Sequence, residues 1–154
     1  MLSGARTFEG GTITFASTTT GDNNLTITGN LDVDAAISGI AVLGVSGTSN
    51  LGANVSSTGT QTYTGAATLS AAVTLTTTSD VITFSDTVNS AHSTKRNLTI
   101  NTGGNGTVVT FDGIVGGNSK SLGVIVITGA LDLDAAITAA TSLSVSGASN
   151  VCVV

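Results

Sequence analysis

A chain of 154 residues can bury a core as one domain, yet only 8% of its residues are charged, against about 25% in an ordinary soluble domain. Its net charge of −5 and four basic residues exclude the cationic stripe that a nucleic-acid backbone requires. No run approaches the ~20 apolar residues of a membrane helix, so this segment is not expected to insert in a membrane.

The opening "MLSGARTFEGG" lacks the apolar centre of a signal peptide. "TITF" (12–15) starts a run rich in β-branched residues, and "TITFASTTTGDNNLTITG" (12–29) has the form of a hairpin. In "LDVDAAI" (31–37) the Asp followed by Ala-Ala suggests a helix start. The alternation of Leu31, Val33, Ala35 and Ile37 argues instead for strand. Period-2 alternation continues in "TQTYTG" (60–65) and "VTLTT" (73–77). "HSTKRN" (92–97), with His92, Lys95 and Arg96, reads as a solvated loop. "LTINTGGNGTVVTF" (98–111) reads as a second hairpin, with Asn105-Gly106 as turn. The segment ends in the apolar "VCVV" (151–154). Its single Cys152 is expected to be a small buried hydrophobe or an intermolecular bridge.

Internal repetition is the strongest signal. Residues 25–50 and 125–150 align without gaps, and 15 of 26 positions are identical. A weaker copy, "TGAATLSAAV" (64–73), keeps the Thr-Gly and the aliphatics of 28–37, with Thr68 and Ser70 in place of Asp32 and Asp34. "VITFSDTV" (81–88) is echoed by "VVTFDGIV" (108–115), and "TITF" (12–15) is a further relative. A single β-repeat domain over 1–154, a module in a larger array, is the expected organisation. Stacked short strands predict an all-β fold, a right-handed parallel β-helix (β-solenoid). The two hairpin signals keep an antiparallel β-sandwich as the alternative. The spacings of the Thr-Gly copies, 36 and then 64, share no coil length, and an insertion at Lys95–Arg96 would restore one. The 100-residue offset of the main duplication is expected to be a structural register.

Few residues carry chemistry. Nucleophilic hydrolysis needs a Ser or Cys held by a base, but His92 is the only histidine and no Gly-x-Ser-x-Gly occurs. No catalytic or cofactor-binding residue is assigned, and the chain is expected not to be an enzyme. Asp32, Asp34, Asp132 and Asp134 are weak Ca²⁺ candidates. Spacing of two on a strand places each carboxylate pair on one face, but calcium takes six to eight oxygens. Outward acids that keep a strand edge soluble are the plainer reading. "GGNGTVVTF" (103–111) fails as a Ca²⁺-binding nonapeptide because Val108 stands where an Asp is needed.

The Thr-Gly-x-Gln-x-Tyr-x-Gly step at 58–65, a short Ala/Thr/Leu strand pair and the following Val-x-Thr-Phe resemble bacterial surface proteins. The match is to repeat regions of filamentous-haemagglutinin-type adhesins and large autotransporter passengers, over most of residues 12–150. The resemblance implies a secreted or cell-surface location, a right-handed β-helical stalk, and adhesion to a host or neighbouring-cell surface. A self-assembling filament subunit pairing through Val151, Cys152, Val153 and Val154 is the alternative. An ice-binding solenoid, suggested by the Thr-x-Thr runs, ranks below both.

Overall fold

Two inward-facing residues in every six wind this chain. Leu25 and Ile27, Leu31 and Val33, Leu43 and Val45, and Val73 and Leu75 are all buried, and the residue between each pair is partly or fully exposed. Such a step is a short strand with one apolar edge, followed by a polar corner built from Gly, Ser, Thr, Asn or Ala. Three steps close a coil. The computed structural model, which describes residues 1–151, is a parallel β-solenoid of about 8 turns with equivalent positions about 18 residues apart.

Each coil contributes to three ladders. Leu25 pairs with Leu43, and Leu43 with Gln61, on the first. Leu31 pairs with Ser49, and Ser49 with Ala67, on the second. Ile37 pairs with Val55 on the third. The strand Leu25–Val33 runs through the first corner without a break and so belongs to two ladders. One apolar core, mostly aliphatic with a few aromatic rings, runs from Phe15 to Leu133 and fills the axis.

All strand pairs among the described residues are parallel, which removes the sandwich and both hairpins. Residues 12–15 pair with 30–33 in parallel. The strands Leu98–Asn101 and Val108–Phe111 lie in different sheets, with Asn105-Gly106 in the loop between them. The left-handed residue of that loop is Gly103 (φ 75°), and neither Asn105 nor Gly106 has a positive φ. Pairing needs a free edge, and Leu98 already has Val73 on one side and Ile125 on the other.

The coil lengthens in its middle. Gln61 pairs with Ile82, Ile82 with Val109, and Val109 with Leu131, before the 18-residue step returns at Leu131–Ser149. The extra residues fall in four corner excursions, of which the Lys95–Arg96 loop is one. Residues 77–81 and 102–107 occupy the same corner in successive coils, and 91–97 and 116–123 share another. Buried hydroxyls hold their roots. Thr77 Oγ1 bonds to the Asp80 carbonyl, and Thr102 Oγ1 donates to the Thr128 carbonyl (2.9 Å). Ser90 Oγ donates to the Ser121 carbonyl (2.8 Å) and accepts from the Arg96 N–H (3.0 Å).

The core contains one polar network. Gln61, fully buried, donates from Nε2 to the Thr76 carbonyl (2.9 Å) and Ser57 Oγ (3.1 Å), while the Tyr63 hydroxyl donates to Gln61 Oε1 (2.9 Å). Burial pushes the Tyr63 phenol far above its ordinary range. The folded state therefore keeps the proton when the unfolded phenol loses it near pH ~10, so stability is intact below that pH and falls above it. Tyrosinate absorbance is expected to appear together with alkaline unfolding. A phenol that titrates near pH ~10 in a still-folded chain is the contrary result.

The duplicated segments occupy different ladders. Leu31 stacks with Ser49, Ala67 and Val88 on the second ladder, whereas Leu131 stacks with Val109, Ile82 and Gln61 on the first. The 100-residue offset is therefore not the coil register that the sequence suggested, because fourteen ladder steps separate Leu31 from Leu131 and fourteen is not a multiple of three. The weaker copy does lie in coil register, since Asn50 stands between Asp32 and Thr68.

Candidate functional site

With the core closed and mostly apolar, recognition chemistry lies on the outward positions of the ladders. On the first ladder these include Thr26, Gly44, Thr62, Thr83 and Thr110 in one column, continued by Asp132 and Asn150. On the second, Thr14, Asp32, Asn50 and Thr68 stand in line. Apart from Gly44, these columns present hydroxyls and amides, with one carboxylate in each, at the parallel-strand spacing of about 4.8 Å.

The two acids of each Asp-x-Asp differ in role. Asp32 and Asp132 lie mid-ladder and accept from the side-chain amides of Asn50 (2.8 Å) and Asn150 (2.9 Å), one coil on. Neither therefore has the task of keeping an edge soluble. Asp34 follows the last strand residue, Val33, and its N–H donates to the Phe15 carbonyl (3.2 Å). Asp134 repeats this with Phe111 (3.0 Å). The alternation through Ala35 thus ends at Val33, and the chain turns a corner before Ile37. Among the described residues no group of three or more His, Cys, Asp or Glu is placed to hold a metal ion. Asp132→Ala is expected to cost about 0.5–1.5 kcal/mol through the lost bond to Asn150, and calcium to leave the melting temperature of the parent unchanged. A calcium-dependent rise in Tm that the substitution abolishes would revive the metal reading.

His92 and Lys95 are exposed in the excursion between Ser90 and Leu98, and Arg96 beside them is half-buried. Val151 lies exposed in the last described coil. Cys152, Val153 and Val154 lie outside the described residues, so the expectations placed on them have no structural counterpart. The sequence reading overlooked the asparagines that tie coils together at corners. Asn30, Asn54 and Asn97 accept through Oδ1 from the N–H groups of Thr48 (3.0 Å), Thr74 (2.8 Å) and Val124 (2.9 Å). Their signal was present, because each of the three stands directly before a strand step that begins with Leu or Val.

The chain matches no protein-family model, no curated protein and no solved structure. No helix among the described residues is long and apolar enough to cross a membrane.

Proposed function

We propose that this chain is a structural and adhesive stalk segment of a bacterial cell-surface or secreted protein, without catalytic activity. The observation that carries the reading is one coil plan wound about 8 times, with Ser, Thr and Asn columns outside and a mostly aliphatic core inside. Such a unit gains length one coil at a time and shows the same hydrogen-bonding surface along its whole side. The likeness of residues 57–88 to bacterial adhesin repeats supports the surface location.

Columns made mostly of neutral hydroxyls and amides suit contact with carbohydrate or hydrated surfaces, where attraction depends little on charge. Beads coated with the full chain are expected to be retained on polysaccharide-coated and cell-coated glass equally well at low and high salt, because charge screening has little to act on. Retention no better than that of an inert globular protein would refute the adhesive part. Antibody labelling of intact producing cells tests the location, and labelling only after lysis would refute it. Release of reducing ends from a polysaccharide panel would overturn the non-catalytic reading.

A further inference from the structure

The duplication supplies an internal reference for the last described coil. Residues 143–151, "LSVSGASNV", repeat residues 43–51, "LGVSGTSNL". The earlier stretch is covered by the coil 61–69. Leu43 and Ser49 donate their N–H groups to the Thr60 and Ala66 carbonyls (both 2.9 Å), and Val45 and Leu51 accept from Thr64 and Ser70 (both 3.0 Å). Leu43 and Leu51 are 0% exposed beneath it, whereas Leu143 is 41% and Val151 48% exposed. Among the described residues the same surface is therefore covered in one copy and uncovered in the other.

The covering coil has its own counterpart in the chain. Thr62-Tyr63-x-Gly65 and Ala67-Thr68-Leu69 correspond to Thr7-Phe8-x-Gly10 and Ile13-Thr14-Phe15. The one additional residue is absorbed by the irregularity between Glu9 and Thr12. The two coils also hold equivalent ladder positions, since Phe8 pairs with Ile27 as Tyr63 pairs with Val45, and Phe15 pairs with Val33 as Leu69 does with Leu51. A side chain at Gly65 would meet the Gly47 carbonyl below it, while among the described residues no atom lies within 4 Å of where a side chain at Gly10 would begin.

We propose that a second copy of this chain covers residues 143–151 with its own residues 6–15, giving head-to-tail association. Residues 6–9 lie on the first ladder and 143–145 on the third; 12–15 lie on the second and 149–151 on the first. One rigid turn by a single ladder therefore satisfies both contacts, with strands parallel as inside the chain. Each junction joins unlike surfaces and leaves the same two surfaces free at the ends, so association continues into an open filament. It proceeds by strand addition, with Leu143 and Val151 as apolar anchors.

Sedimentation velocity and electron microscopy of the full chain over a concentration series test this. Rods of constant width that lengthen with concentration are expected. Leu143→Lys with Val151→Lys changes exposed residues of one surface. Thr7→Pro blocks the other. The Arg6 N–H points to the Asn24 carbonyl of the next coil, so that of Thr7 faces away and proline removes no internal bond. Thr12→Pro serves if Thr7→Pro fails to fold, as judged by its thermal transition.

Each blocked variant alone is expected to stay monomeric at concentrations about tenfold above those at which the parent assembles. Their equimolar mixture is expected to stop at dimers. A parent that stays monomeric to ~1 mM overturns the proposal. So does dimerisation of either variant alone, which marks a contact between like surfaces, and so does assembly unaffected by both changes.

Discussion

Phe84→Ala is expected to lower the unfolding free energy by about 3–5 kcal/mol, measured by urea denaturation. Phe84 is 1% exposed between Tyr63 and Phe111, with ring centroids 4.9 and 5.2 Å away and interplanar angles of 11° on both sides. Those separations match the distance between parallel strands of about 4.8 Å, so the rings stack because the ladder stacks them. A helical core can shift a helix to shrink a cavity. Here Tyr63 and Phe111 belong to strands hydrogen-bonded to the strand of Phe84 itself, so the void stays open. Stability in a solenoid passes between neighbouring coils, so the substitution is also expected to uncouple the early coils from the later ones. Hydrogen exchange would then show two protection levels. A single cooperative transition with a loss below about 1 kcal/mol would mean that the core refills the site.

Gln61→Leu is the second large effect, expected at about 2–3 kcal/mol. Leucine suits this inward position, which is Leu43 one coil earlier and Ile82 one coil later. The cost comes from what the amide leaves behind. The Tyr63 hydroxyl loses its acceptor and the Thr76 carbonyl a donor, in a site without water access. Adding Tyr63→Phe to Gln61→Leu removes one orphaned group. The double variant is expected to be more stable than the sum of the two single losses implies, by at least about 0.5 kcal/mol. Strict additivity in that cycle would show that the Gln61–Tyr63 bond contributes nothing.

The sequence revealed the class of fold but not its step. Alternation at Leu25–Ile27 and Val73–Leu75 marked strands, and the repeats marked stacking. The six-residue period stayed hidden because several inward positions carry other residue types. Ser49, Ser57, Gln61 and Ser90 are all buried at inward positions that an aliphatic residue would otherwise fill. The excursions after Thr76, Ser90, Asn101 and Val115 broke the count further, and only one of them, at Lys95–Arg96, stood out by its charge. The hairpin reading of 98–111 failed because turn chemistry is local and pairing is not. The Asp pairs were visible as a pattern, but their function depends on Asn50 and Asn150, 18 residues away and adjacent only after one coil is wound.

The one-ladder displacement of the duplicated segment has an evolutionary consequence. Gly29 and Gly129 turn different corners with nearly the same φ, 150° and 152°, and each donates its N–H to a serine 17 residues on at 3.1 Å. The segment thus carries its own corner, strand and ties, and functions equally on either side of the solenoid. Unequal recombination within such a gene need preserve only the six-residue phase, not the whole coil, to leave a foldable product. Lineages can therefore change the length of the rod in steps of a third of a turn. Each step also rotates every later surface column about the axis, so length and the pattern shown to the outside evolve together.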